Sequence, residues 1–573
     1  MNMRFACLPC LTLLLAACGG GGGVTSSGGD NTGQAQQVNL LARTATNTLA
    51  YIPPQCFTRT QDTEGGTVHN PCYACHAASS EPNYNNQQNL QLAYSLPQAG
   101  AGQYIVNPWT NLFKDRSAAI AAISDDAVSQ YVAQDNYLDG GGIALAKKLA
   151  SVPASWDVDG DGKWGGYAPD AWFNFDVRGY DRAADGHATG WRAFSYYPFP
   201  GAFMPTNGAF DDVLIRLPAA FRSNTAGVED LDIYTVNLAV VEALIKRADI
   251  AIPATDETAL AVDLDNDGKL GTATVVKYHW NPVAGDNMSY VGQAKAELAA
   301  GRLHLAAGLF PEGTEFLHSV RYLAVAADGS VVPATRMKEL RYGRKAYWRS
   351  YSDLNLQAQM DAIDKRKNPD TPEIYGGDAE HGLNNNKGWT YQGFIEDKDG
   401  KLRPQSYEET LFCMGCHSTL SATEDGAFAF PRKLVGGSAN GWYHWSSGIR
   451  SVLPDPKRKG DGKLEYSTYL RNNRAGDEFR GNTEVLARFF NADGSEKADQ
   501  FAALASDVSV LLLPAASRAR TMSKAYWALV MEQSFALGRD GLAAPAANVW
   551  QQVDENRATG VVTPEAAPRL ALP

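Results

Sequence analysis

Two pentapeptides, Cys72-Tyr73-Ala74-Cys75-His76 and Cys413-Met414-Gly415-Cys416-His417, share the form C-x-x-C-H. No other feature constrains this chain as strongly. Thiols three positions apart can each form a thioether to one haem vinyl, and the adjoining imidazole then reaches the iron from the proximal side. The pattern predicts two covalent c-type haems, attached at Cys72, Cys75, Cys413 and Cys416, with His76 and His417 as proximal ligands. The alternatives are chance matches, or dithiol pairs that bind zinc or cycle as disulfides. With eight Cys and nine His in 573 residues, two accidental matches are rare.

The N-terminus agrees with an exported, oxidising compartment. Residues 1–17 combine a basic start at Arg4 with a short apolar stretch, Leu11-Thr-Leu-Leu-Leu15, and end in Leu15-Ala16-Ala17 before Cys18. This is the layout of a signal peptide, and the stretch is too short for the roughly 20 residues of a spanning helix. Cys7 and Cys10 are spaced C-x-x-C but lack a following His and belong to the signal. Residues 18–37, with Gly19 to Gly23 and then a Ser/Gly/Asn/Gln run, cannot bury a core and read as a flexible tether.

The remaining chain divides by texture. Residues 38–150 carry the first haem motif among helical patterns at Asp125 to Asp135 and Ile143 to Ser151. Residues 151–400 turn to aromatic-rich strands, including Phe194 to Gly201 and Thr272 to Trp280. Phe316 to Ala326 and a second run to Tyr342 form a hairpin about Asp328-Gly329, and a helix is expected at Val236 to Arg247. Residues 401–573 hold the second motif and an apolar helix near Met522 to Leu537. The expected class is α+β and multi-region, with mainly helical and loop haem regions at both ends of a strand-containing middle. The net charge of −12 speaks against nucleic acid as a partner and allows a basic redox partner.

Two loops in the middle region carry different chemistry. Asp157-Val-Asp159-Gly-Asp161-Gly162-Lys163 and Asp263-Leu-Asp265-Asn-Asp267-Gly268-Lys269 place carboxylates at alternate positions before a glycine, as calcium loops do. Lys163 and Lys269 would contribute backbone carbonyls. The twelfth position holds Ala168 or Thr274 in place of the usual bidentate Glu, so a further carboxylate must come from elsewhere. A plain Asp/Gly turn without an ion is the alternative, and it is preferred for Asp397-Lys-Asp399-Gly400.

Function turns on the distal side of each iron. Two strong axial ligands make an electron carrier, whereas an open position admits small oxidants. Strand alternation places His318 with Phe316, Val320 and Tyr322 on one face, making it a distal candidate. His444, within Trp442-Tyr443-His444-Trp445, and Met522 are candidates for the second haem, with core packing as the alternative for each. His69 and His279 rank lower. Apart from the four haem thiols and the three cysteines of residues 1–18, only Cys56 is left; it is read as a buried thiol, an intermolecular disulfide or an iron ligand.

Leu15-Ala-Ala-Cys18 resembles the lipobox of bacterial lipoproteins, and with the two C-x-x-C-H motifs the chain resembles exported dihaem c-type cytochromes anchored to the Gram-negative outer membrane. The resemblance implies acylation of Cys18 and two haems, and Gly19 favours the outer membrane, facing periplasm or exterior. It implies electron transfer with redox partner proteins or a small acceptor, with the membrane met through the lipid anchor. The chain also resembles dihaem peroxidases and large dihaem oxygenases, although its motifs lie 413 − 72 = 341 residues apart. A redox enzyme with one open haem is therefore the alternative to a relay.

Overall fold

The Asp-Gly turn organises the fold. Gly329 takes φ +82°, a left-handed conformation that glycine accepts without strain. It closes a hairpin of two long strands. The computed structural model describes residues 38–58, 104–194, 197–198, 206–368, 371–418, 425, 444, 453–458, 461–473, 482–547, 549–554 and 570–571.

The main sheet has ten strands, all paired antiparallel. They are β1 (Tyr180–Arg182), β2 (Ala188–Phe194), β3 (Phe210–Asp211), β4 (Val213–Arg216), β5 (Glu315–Val325), β6 (Val331–Lys345), β7 (Gly377–Asp378), β8 (Gly382–Asn384), β9 (Trp389–Glu396) and β10 (Leu402–Pro404). The order is 7-8-9-6-5-4-2-1, with β10 beside β9 and β3 beside β5. In register, His318 stands opposite Arg341 and Arg341 opposite Gly393, whereas Leu317, Tyr342 and Gln392 form the next row. Alternation sends these two rows to opposite faces.

Both faces are covered. One carries Leu214, Leu317, Leu340 and Phe394 against Trp191, Trp156 and Tyr167. The other carries Ile215, Phe316 and Tyr391, which join a larger core with helix α2 and helix α4. The five principal helices are α1 (Asp125–Ala133), α2 (Leu231–Lys246), α3 (Tyr351–Lys367), α4 (Tyr407–His417) and α5 (Ala516–Glu532). Helix α2 begins five residues before the expected Val236, because Asp230 caps it by accepting from the Asp232 and Ile233 amides.

The larger core draws on Tyr51, Phe57 and Trp109, on Tyr234 and Leu244, and on Leu411, Cys413 and Val549. Residues 35–573 accordingly form one compact unit. The texture boundary at 400 falls within the β9–β10 hairpin, closed by a turn over Asp397–Lys401. The fold is α+β, and no described helix is long and apolar enough to cross a membrane.

Leu340 is fully buried at the centre of the sheet. Leu340→Ala should lower the unfolding free energy by about 2–5 kcal/mol, measured by denaturant titration; a loss well below that range would mean this row is not a packed core.

Candidate functional site

Helix α4 ends in the second C-x-x-C-H motif. Its start is fixed by a capping box: Ser406 Oγ accepts from the Glu409 amide at 3.2 Å, and the Glu409 carboxylate accepts from the Ser406 amide at 2.8 Å. Because the motif is helical, Cys413, Cys416 and His417 stand at i, i+3 and i+4 and share one face. The His417 ring lies 4.7 Å from the Tyr391 ring, and Asn385 Nδ2 donates to the His417 carbonyl at 2.9 Å. The end of the helix is thereby tied to the sheet.

Segment 50–57 closes over this helix. A Cβ at Gly415 would meet Pro53 Cγ at 2.8 Å and the Tyr51 carbonyl at 2.9 Å, so only glycine admits the approach. Trp109 adds an edge contact to Phe412 at 5.8 Å and donates through Nε1 to the Ile52 carbonyl at 2.7 Å. The same packing brings Cys416 within electrostatic reach of Cys56, whose thiol, already raised by burial, it pushes further up. Burial pushes the Cys56 thiol up to about 12 and that of Cys416 up to about 11, and it raises Cys413 as well.

Beneath the helix lies a buried ionic cluster. Arg403 grips Glu409 with two bonds of 2.8 Å, and Arg539 donates to Glu339 at 2.8 Å and to the Glu409 carbonyl. Arg341 donates to Glu339 at 2.9 Å and approaches the Phe412 ring. Burial alone would raise the Glu339 carboxyl, but Arg341 and Arg539 outweigh it and hold it at about 2.

Two thiols and an imidazole on one helical face, among Tyr391, Trp389 and Phe412, fit covalent haem. The buried Trp389 Nε1 has no hydrogen-bond partner among the described residues, a donor that a haem carboxylate would satisfy.

The other expected residues fall as follows. Cys72, Cys75, His76, His69 and Cys18 lie outside the described residues. His318 stands across from Arg341 on the face that α4 covers, with its Nδ1 3.5 Å from Asp211; Tyr322 joins a different cluster because the β5–β6 register slips after Val320. His444 belongs to the opposite side of the sheet. Its Nε2 is 2.6 Å from Asp212, which also binds Ser319, and its ring packs on Phe175, so the structure does not bring it to His417. Met522 fills core between α5 and β5 with Phe210 and Leu323, against Gly208, and it too is separate from the motif. His279 pairs with Asp286.

Both Asp-rich loops acquire the carboxylate that their own sequence lacks. Asp157 and Asp159 converge with Glu380, and Asp263 and Asp265 with Glu257; within each group the ligand oxygens lie within 4.8 Å of one another. The geometry is the same in both. Glu380 accepts from the Val158 and Gly165 amides, at 2.8 and 2.7 Å; Glu257 accepts from the Leu264 and Gly271 amides, at 2.6 and 2.9 Å. These are the positions one and eight residues after the first Asp. Asp161 and Asp267 stay outside the convergent groups, each instead capping the amide of Lys163 or Lys269 at 2.8 Å. Sequence reasoning missed both glutamates; the shared glycine at the ninth position, Gly165 and Gly271, was the visible signal of a common clamp.

A protein family described as a “-like lipoprotein” matches residues 40–506, and the chain belongs to this lipoprotein family. A relative from Aquifex aeolicus, described as an uncharacterized lipoprotein, is 28% identical across 92% of this chain and 93% of its own. No solved structure matches the chain. Membership makes this a membrane-anchored protein of the cell envelope.

Glu339 titrates in the folded state at about 2, against an ordinary 4.5, so its contribution to stability is present above pH 4.5 and lost as pH falls toward 2. In denaturant titrations across that window, Glu339→Gln should show a shallower acid loss than the parent chain; an identical slope would remove Glu339 from the acid response.

Proposed function

We propose that this lipoprotein is a dihaem c-type cytochrome that transfers electrons at the cell envelope. Cys72 and Cys75 would attach one haem and Cys413 and Cys416 the other, with His76 and His417 as the proximal ligands. The observation that carries the reading is the single helical face shared by Cys413, Cys416 and His417. A dithiol that cycles through disulfides works through a lowered thiol pKa, whereas burial raises these thiols. Haem, when bound, supplies one-electron redox chemistry. The chain would hold and shield it, with His318 as the distal candidate because it shares the face that α4 covers. Cys18 would carry the acyl chains, with the outer membrane as the destination. Redox proteins or a small electron acceptor would be the partners.

The two Asp-rich loops are proposed as structural calcium sites, with Glu380 and Glu257 completing them. A hard cation suits all-oxygen groups of this kind and would stiffen the loops. The first loop lies on the sheet face opposite α4, where Tyr167 stacks on Tyr342 at 4.0 Å and its amide donates to Gln392 at 2.8 Å.

Intact mass and haem staining should give two haems per chain, and Cys413→Ala with Cys416→Ala should leave one; retention of both would refute the assignment. Carbon monoxide added to the reduced protein should leave the Soret band unmoved, and a large shift at one haem would replace the relay by a redox enzyme with an open site. After chelator treatment, calorimetric titration with Ca2+ should report two sites, with Glu380→Gln and Glu257→Gln each removing one. No heat of binding in the parent chain would discard the calcium reading.

A further inference from the structure

The sheet face that meets α4 carries polar groups beyond the reach of His417 itself. On that face Gly343 stands opposite Tyr391, whose ring touches that of His417, and in the next row Lys345 stands opposite Trp389. Gly343 makes room for the ring: a Cβ there would meet Tyr391 Cε1 at 2.8 Å. Trp389 stacks beside Tyr391, with centroids 6.3 Å apart and planes 17° from parallel, and the Lys345 ammonium is 5.8 Å from the Trp389 ring. A cation and an N–H donor thus stand side by side, one row beyond the ring that touches His417.

Both groups are fully buried, and their needs are unequally met. Trp389 Nε1 has no hydrogen-bond partner among the described residues, a deficit that an acceptor would remove. Lys345 does have an anion: it donates to Asp425 Oδ2, the same oxygen that accepts from the Phe310 amide at 3.0 Å. Burial pulls the Lys345 ammonium down, and Asp425 opposes that. Asp425 comes from the chain just after the second motif, 425 − 417 = 8 residues beyond His417. Its backbone is left-handed at φ +52°, a conformation that contacts must hold in place. A carboxylate therefore already sits beside Lys345, but it leaves the indole N–H unserved. Haem carries carboxylates at its edge, and one of them at this row would accept from both groups in charge-assisted and neutral hydrogen bonds.

We propose that Lys345 and Trp389 hold a carboxylate of the haem attached at Cys413 and Cys416, and that Asp425 takes that place in the haem-free chain. This rests on the reading of the second motif as a haem site. The Lys345 cation then exchanges one carboxylate partner for another and is not left unpaired in a dry site, which would be the costly outcome.

The test uses the full haem-loaded chain and the propionate bending band of its ferric resonance Raman spectrum. The band of the second haem is assigned by difference from the chain with Cys413→Ala and Cys416→Ala. Trp389→Phe and Lys345→Gln should each shift that band and leave the band of the first haem in place, with an unchanged Soret absorbance showing that the variants are folded. Asp425→Asn should move neither the band nor the denaturant midpoint of the loaded chain, because Lys345 has left it. A band that either Trp389→Phe or Lys345→Gln leaves unshifted overturns the proposal. A lowered midpoint in Asp425→Asn keeps Lys345 with Asp425 and also overturns it; that midpoint and the Trp389→Phe band decide the matter if Lys345→Gln does not fold. A chain that carries no haem at Cys413 and Cys416 overturns the haem reading and the carboxylate clamp together.

Discussion

Helix α4 is held to the sheet by buried ions as well as by apolar contact, and the placement of everything around the second C-x-x-C-H motif follows from that. Arg403 and Arg539 approach Glu409 from one side, through its carboxylate and its carbonyl, while Arg539 and Arg341 share Glu339 from the strand below. An apolar seam would tolerate sliding by part of a turn, but charged hydrogen bonds do not. Such a cluster is poor evidence of net stability, because taking ions out of water costs about what their attraction returns. Removing one partner, however, strands the others at a cost of ~3–5 kcal/mol. The cluster therefore specifies position: it fixes which helical face Cys413, Cys416 and His417 present.

Much of this was legible in the chain. The Asp328-Gly329 hairpin, helices α1 and α2 and the plain turn at Asp397 follow from periodicity and turn chemistry, which act over a few residues. What the sequence concealed is long-range. Nothing near Glu380 marks it as the carboxylate that clamps a loop more than two hundred residues earlier. His444 sits among aromatics as expected, yet Asp212 draws it to the far side of the sheet. Adjacent residues of a strand region point to opposite faces, so Asp211 meets His318 while Asp212 meets His444. Met522 went to the core, the usual fate of a methionine on a buried helical face.

The two Asp-rich loops show how one local geometry is reached by different routes. In the second, Glu257 precedes the loop and opens the short helix Glu257–Leu260, so the clamp is local. In the first, Glu380 arrives from the turn between β7 and β8, so the clamp is tertiary. Each glutamate binds amides at both ends of its loop and leaves the same two aspartates converging on it. The absence of Glu at the twelfth position is thus explained by geometry. The chain does not continue from these loops as an EF-hand helix would, and the additional carboxylate comes from outside the loop. For the first loop only, the clamp belongs to the sheet, because Glu380 lies between the edge strand β7 and its neighbour β8.

The chain just beyond β8 contacts both α4 and α3. Beyond β8, Asn385 holds the His417 carbonyl, and two residues later Lys387 holds Asp361 on the inward side of α3. Tyr375, which precedes β7, hydrogen-bonds Ser418 at the end of α4 and receives the Tyr407 hydroxyl on its own carbonyl. The His417 end of α4 and the inward side of α3 are therefore fastened to the same short stretch of backbone, residues 375–387.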